Sequence, residues 1–107
     1  MSEQKMWAVL EAVGSERRVQ DIKWGEQNHS PADYLAILSE EVGEVAKEVV
    51  EANSAKTPKA KKDRLRNYRT ELIQTAAVAV AMVECIDRQM GGVGYDCTPT
   101  PPQQEKI

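Results

Sequence analysis

Apolar side chains recur every three or four positions in three segments of the chain, which is the spacing of one face of an α-helix. The segments cover about residues 3–23, about residues 31–52, and about thirty residues from Pro58 to the Gly91-Gly92 pair. Ser30 before Pro31 and Thr57 before Pro58 are typical N-caps followed by proline at the first helical position. The sequence shows no alternation of apolar and polar positions typical of a strand. It therefore predicts an all-α fold with three main helices.

The third predicted helix has more apolar surface than one chain can cover. Residues 75–83 are apolar nearly all round and rich in alanine, so helices must approach them from several sides. We therefore expect a homodimer or tetramer in which helices of two chains complete a four-helix-type bundle. Glycines and prolines predict an irregular C-terminal tail over 91–107, which leaves residues 1–90 as one all-α domain.

Composition and charge narrow the class of protein. The chain has 107 residues, of which 41% are hydrophobic and 29% charged, as in an ordinary globular protein of one domain. Because no apolar run could span a bilayer and no signal peptide is visible, we expect a cytoplasmic protein without a membrane partner. Residues 40–51 carry a local charge of −4 and residues 56–69 one of +6, within a net charge of −3. This balance disfavours a general nucleic-acid binder and favours a site holding a cation beside a polyanion.

Three glutamates interrupt the predicted apolar stripes instead of lying opposite them. Glu41 and Glu44 share one face of the second helix, and Glu71 lies on the inward stripe of the third. Burying carboxylates without a counter-charge is costly, so either cations hold these side chains or they are not buried. Oxygen ligands suit Mg²⁺ or Mn²⁺. The single histidine, His29, lies in a loop, which excludes the Glu-x-x-His pairs of a di-iron bundle.

The order of these acidic residues resembles the motifs of a known family. Glu40, Glu41 and Glu44 form the pattern Glu-Glu-x-x-Glu, and Glu71 begins a second pattern that ends at Gln74. They are similar to the Glu-Glu-x-x-Glu and Glu-x-x-Asp motifs of the MazG-like proteins, the all-α nucleoside triphosphate pyrophosphatase superfamily. The resemblance covers about residues 17–88. The chain departs from the family at Gln74, whose neutral amide is a weaker metal ligand than the family's aspartate.

The resemblance implies hydrolysis between the α- and β-phosphates of a nucleotide, which gives a monophosphate and pyrophosphate with Mg²⁺, or Mn²⁺, as cofactor. It implies metal binding by Glu41, Glu44, Glu71 and Gln74, and a role for Glu40 in orienting or deprotonating the attacking water. The segment 23–27 is similar to the family's substrate-side segment at the end of helix one. The expected substrate-binding residues are Lys23, Trp24, Gln27, Asn28, Arg66 and Arg69.

Other interpretations remain open from the sequence. The chain can be a catalytically degenerate helical interaction module of the same fold, in which Gln74 marks lost catalysis. A weaker hypothesis is a nucleic-acid accessory protein that uses residues 56–69. Trp24 can equally be a core or interface anchor. Among the remaining residues, we expect Glu48 and Glu51 to be solvated, Glu84 to face solvent or a partner subunit, and Cys85 to be a small buried side chain.

Overall fold

The fold consists of three α-helices joined by short loops. A computed structural model describes residues 2–91 and contains α1 (Glu3–Trp24), α2 (Pro31–Asn53) and α3 (Pro58–Gln89), with no strand in that part of the chain. The predicted all-α class and the three main helices are confirmed. Apart from Gly91, the tail predicted over 91–107 lies outside the described residues.

The helix ends follow the local sequence signals. The side-chain oxygens of Ser30 and Thr57 each accept a hydrogen bond from the backbone N–H three residues later, at 3.1 and 3.0 Å. Pro31 and Pro58 occupy the first turns, where the missing N–H costs nothing. α1 ends at Gly25, whose φ of 73° lies in the left-handed region that favours glycine. These signals place the helix boundaries within about one residue of those predicted.

α3 is the central helix. Both α1 and α2 pack against α3, whereas α1 and α2 make no close backbone contact with each other. A groove therefore remains between α1 and α2, with α3 as its floor. Within residues 2–91, the buried hydrophobic side chains are few and come from all three helices: Val13, Tyr34, Ala52, Ala77, Val78 and Cys85.

Many large apolar side chains are exposed on the single chain. They occur on all three helices and include Met6, Trp7, Leu10, Leu35, Val42, Leu65, Leu72 and Val83. Large apolar side chains exposed in such number are typical of a surface that another protein chain covers. The exposed apolar side chains are of the kind that a second chain would cover. The homodimer or tetramer stays a prediction. None of the described helices is long and apolar enough to cross a membrane.

One sequence expectation about charged residues needs correction, and a second is confirmed. Glu48 is buried, with 8% of its surface exposed, and its carboxylate lies 3.5 Å from Nη1 of Arg64. The expectation of a solvated Glu48 is wrong because α3 covers this end of α2. Glu84 is exposed as expected, but its carboxylate binds Arg17 of the same chain at 2.6 Å. Cys85 is buried, as expected.

Candidate functional site

A cavity of about 440 Å³ fills the groove between α1 and α2. Residues at helical spacing on α2 and α3 line two of its sides, and the end of α1 with the loop that follows lines the third. The lining residues from α2 are Tyr34, Ile37 and Glu41, and those from α3 are Gln74, Val78, Ala81, Glu84 and Arg88. Since the backbones of α1 and α2 do not come close to each other, the cavity is open to solvent on one side.

The cavity brings together five of the residues expected at the site. Lys23, Trp24, Gln27, Glu41 and Gln74 all line it, although they come from three different segments of the chain. The other expected residues are not among the lining residues: Asn28, Glu40, Glu44, Arg66, Arg69 and Glu71. The cavity therefore contains part of the predicted site.

The expected residues that do not line the cavity lie in different places. Asn28 sits beside the cavity, with its side chain bound to Arg88. Arg66 is exposed on α3 and lies 3.4 Å from Asp63, and Arg69 is exposed on the same helix. Their predicted contact with substrate finds no support in the single chain and stays a prediction.

Of the glutamates expected to bind metal, Glu41 is the one that lines the cavity. It is half-buried, and its Oε1 atom is shielded from solvent without a hydrogen-bond partner. Burial raises the pKa of Glu41, and so do the nearby charges of Glu71, Glu44, Glu16 and Glu40, in that order. A carboxylate in this setting gains from any cation that reaches it.

Glu71 faces the same cluster from α3. Burial raises the pKa of Glu71, the charges of Glu44 and Glu48 raise it further, and Lys47 partly offsets them. The two helices therefore present carboxylates to each other across their contact. We call Glu41, Glu44 and Glu71 the acidic seam; Glu44 itself is exposed on α2, so the expectation that it interrupts the apolar stripe is wrong.

The oxygen ligands of the acidic seam suit a hard divalent cation, but the side chains are not arranged closely enough to hold one. Carboxylate oxygens are the ligands that Mg²⁺ prefers, and the orphaned oxygen of Glu41 lacks a partner that such an ion would supply. Yet within residues 2–91, no three carboxylate, imidazole or thiol groups converge closely enough to hold a metal ion. The metal site therefore stays a prediction, in which Glu41, Glu44, Glu71 and the amide of Gln74 are the candidate ligands.

The cavity as a whole is negatively charged. Its lining contains five carboxylates, those of Glu16, Asp21, Glu26, Glu41 and Glu84, and three basic side chains, those of Arg17, Lys23 and Arg88. Two negative charges are thus in excess. A polyanion entering this cavity would be repelled unless a cation entered with it.

Arg17 joins α1 to α3 at the wall of the cavity. Only 13% of its side chain is exposed, and its guanidinium binds Asp21 at 2.9 Å and Glu84 at 2.6 Å. Burial of the guanidinium lowers its pKa, but the hydrogen bonds to Glu84 and Asp21 outweigh burial and raise it overall. Arg17 is therefore held by two carboxylates and acts mainly as a link between helices.

Sequence reasoning missed several residues that shape the cavity. Arg17 lies on the apolar face of α1, and an arginine on such a face is a signal of a buried ion pair. Arg88 continues the row that runs from Glu71 through Gln74 at steps of three and four along α3. Reading that row to its end would have placed Arg88 at the site.

The resemblance to the MazG-like proteins rests on the glutamate motifs and on the segment 23–27. The three helices agree with the all-α class that this resemblance implies, but many unrelated proteins share that class. A comparison of the chain with protein-family models, with curated proteins and with solved structures finds no match.

Proposed function

We propose that this protein is a divalent-metal-dependent nucleotide pyrophosphohydrolase, which cleaves nucleoside triphosphates to a monophosphate and pyrophosphate. The observation that carries the proposal is the half-buried carboxylate of Glu41, which has an unpartnered oxygen and lies among further carboxylates at an open cavity. A carboxylate at a cavity whose pKa is shifted by burial and by neighbouring charges is a candidate functional group.

The electrostatics explain why a cation and a polyanion would enter together. The raised pKa values of Glu41 and Glu71 mean that their ionised forms are disfavoured in the chain alone. A divalent cation would reverse this preference, since it favours the ionised carboxylates. The excess negative charge of the cavity would otherwise repel a triphosphate.

The chemistry that Mg²⁺ supplies when bound is charge neutralisation on phosphate oxygens and Lewis-acid activation of water. The chain's own residues would orient the reactants. Gln74 offers an amide to the cavity that Glu41 also lines. The role of Glu40 in directing the attacking water stays a prediction, because that side chain is exposed and outside the cavity lining.

The end of α1 supplies groups for the nucleoside. Trp24 lines the cavity and is 56% exposed, so part of its ring is free to stack on a base. The ammonium of Lys23 lies 4.8 Å from the centre of the Trp24 ring and lines the same cavity, where it would offer a positive charge to a phosphate. The amide of Gln27 completes this side and can read the edge of a base.

We also propose that two or four copies of the chain associate, since the exposed apolar side chains on all three helices need a cover. Helices of a second copy would complete a four-helix-type bundle. Sedimentation equilibrium would then give two or four times the mass of one chain, whereas the mass of a single chain at micromolar concentration would contradict the association. Substrates of this kind would place the protein in the cytoplasm.

Pyrophosphate release from a panel of canonical and damaged nucleoside triphosphates tests the activity, with Mg²⁺ and with Mn²⁺. Glu41→Gln and Glu71→Gln should each lower turnover by about a thousandfold or more, because each removes a charge from the acidic seam. Glu11→Gln, an exposed glutamate of α1, is the matched control and should keep the wild-type rate. Circular dichroism should show the same helix content in all variants. Unchanged turnover in both seam variants would reject the assignment.

The alternative is a catalytically degenerate helical interaction module. Two observations favour it, namely that the carboxylates do not converge on one point in the described residues and that Gln74 replaces an acidic ligand. Calorimetric titration with Mg²⁺ or Mn²⁺, with and without a non-hydrolysable triphosphate, separates the two hypotheses. Joint binding of metal and nucleotide supports the enzyme, and the absence of both supports the interaction module.

A further inference from the structure

Three consecutive residues of the loop between α1 and α2 are fastened to the last turn of α3. The guanidinium of Arg88 donates to the carbonyl oxygen of Gln27 at 3.1 Å and to Oδ1 of Asn28 at 3.0 and 3.1 Å. The side-chain amide of Gln89 donates to the carbonyl oxygen of His29 at 3.3 Å. We call residues 26–29 the clamped loop.

Further contacts of the clamped loop come from Arg88, from Tyr34 and from the thiol of Cys85, which lies 3.6 Å from the carbonyl oxygen of His29 and 3.8 Å from Oδ1 of Asn28. Nε of Arg88 lies 3.4 Å from the carboxylate of Glu26, which also accepts a hydrogen bond from Asn28 at 3.0 Å. The hydroxyl of the buried Tyr34 donates to the carbonyl of Gln27 at 3.3 Å. Because its donors are directed at the loop, Arg88 is a poor candidate for gripping phosphate, even though it lines the cavity.

The start of the loop has little else to hold it. Gly25 adopts a positive φ, and a Cβ built there would meet no atom within 4 Å. The side chains of Trp24 and Glu26, on either side of it, are exposed. The path of the chain from Trp24 to Gln27 therefore depends on polar contacts, and Arg88 makes the largest share of them.

We propose that Arg88 is a positioning residue of the cavity. It fixes the clamped loop so that Trp24 and Gln27 present a preformed wall to the nucleotide. A preformed wall improves binding because the loop does not lose conformational freedom when the ligand arrives. This proposal rests on the proposed function of the cavity, but its first consequence, a rigid loop, exists without any ligand.

The first test measures loop mobility in the ligand-free protein. In the wild type, the backbone amides of residues 26–29 should have NMR order parameters of about 0.8, close to those of the helices. Arg88→Ala should lower them below about 0.6 in the clamped loop alone. Arg88→Lys should give intermediate values, because a lysine can reach the carbonyl of Gln27 but lacks the planar fork that also holds Asn28. Arg18→Ala, an exposed arginine of α1, is the control and should leave the loop rigid.

The second test measures nucleotide binding by fluorescence. A Trp7→Phe background leaves Trp24 as the one tryptophan of the chain. In this background, Arg88→Ala should raise Kd and KM for the nucleotide about tenfold and change kcat by less than about threefold, with Arg88→Lys in between.

The outcomes separate this proposal from the one on which it rests. A loop that stays rigid in Arg88→Ala, or a loss confined to kcat, overturns the positioning role whatever the protein hydrolyses. A wild-type protein that binds and hydrolyses no nucleotide, with a loop that loosens in Arg88→Ala, overturns the proposed function and the nucleotide role of Trp24 and Gln27, while the clamp itself stands. Equal helix content of the variants by circular dichroism excludes general unfolding as the cause.

Discussion

The acidic seam and the clamped loop border the same cavity and differ in how their polar groups are satisfied. In the clamped loop, the carbonyl oxygens of Gln27 and His29 and the amide of Asn28 all bind donors of α3. In the acidic seam, an oxygen of Glu41 has no partner, and burial together with neighbouring carboxylates raises the pKa values of Glu41 and Glu71. The backbone carbonyls and the Asn28 side chain of the first region find donors within the chain, although Nε2 of His29 is buried without a partner; in the second region the group without a partner is a carboxylate oxygen. A carboxylate without a partner at an open cavity is the place where a ligand has most to contribute.

Glu48 shows that the chain can supply a counter-charge where one is needed for structure alone. It lies one turn beyond Glu44 on α2 and is more deeply buried than any member of the seam. Arg64 of α3 approaches it, and the same guanidinium reaches Glu51 at 3.6 Å. The absence of such a partner at Glu41 is therefore a property of the site rather than of acidic residues on α2.

Removing Arg17 should have the largest effect on stability. Arg17→Ala takes away two ion pairs and the buried stem that link α1 to α3, and it should lower the free energy of unfolding by about 2–3 kcal/mol. Arg17→Lys, which keeps the charge and most of the stem, should lose less. Urea denaturation followed by circular dichroism measures both. A loss below about 0.5 kcal/mol in Arg17→Ala would mean that α1 is held by its apolar contacts alone.

Removing Arg64 should convert the paired Glu48 into a second unpaired carboxylate. Arg64→Ala leaves that buried charge without its partner and should cost about 2 kcal/mol. Adding Glu48→Gln to Arg64→Ala should recover about half of the loss, since a neutral amide tolerates burial better. The same denaturation experiment measures the pair, and strictly additive losses would contradict a direct interaction between the two side chains.

Gln74→Asp should sharpen the contrast between the two regions. A fourth carboxylate next to Glu41 should tighten Mg²⁺ binding about tenfold, which is about 1.4 kcal/mol, and should lower the stability of the metal-free protein. Asn67→Asp adds the same charge to an exposed position of α3 outside the cavity and is the matched control. Calorimetric titration measures the affinities. Equal affinity in Gln74→Asp and wild type would place the ion away from Gln74.

The pH dependence of stability should show the smallest effect. Because the pKa values of Glu41 and Glu71 are raised in the folded chain, their ionised forms destabilise the metal-free protein at neutral pH. The double variant Glu41→Gln/Glu71→Gln should therefore be more stable than the wild type at pH 7, by on the order of 1 kcal/mol.

This difference should shrink as the pH falls through the raised pKa values and vanish below the ordinary value of 4.5, where the wild-type carboxylates are protonated in both states. Urea denaturation from pH 7 to pH 4, without metal, measures it. A wild type that is more stable than the double variant at pH 7 would contradict the unfavourable setting of these two residues.

Local signals were enough to predict the helices. Ser30 with Pro31 and Thr57 with Pro58 satisfy the first N–H groups of α2 and α3 whatever the tertiary structure, so their boundaries follow from the sequence. Helical spacing also placed Glu41 and Glu71 on inward faces, and both are half-buried.

Partners across helices could not be predicted in the same way. Glu48 and Glu44 look alike on α2, and which of them meets an arginine depends on how α3 crosses α2. The arginines nearest to the glutamate motifs in sequence, Arg66 and Arg69, lie outside the cavity, whereas Arg17 and Arg88 line it from distant positions. Pairings of this kind are set by packing and not by spacing along one helix.

Titration of the metal-free protein with substoichiometric Mn²⁺, followed in amide NMR spectra, tests most directly whether the acidic seam binds a divalent cation. Paramagnetic broadening should appear first at Glu41, Glu44 and Glu71 and then at Gln74, and it should disappear from these residues in Glu41→Gln/Glu71→Gln. Broadening spread evenly over exposed acids such as Glu3 and Glu11, or equal broadening in wild type and double variant, would contradict a divalent-cation site at the seam.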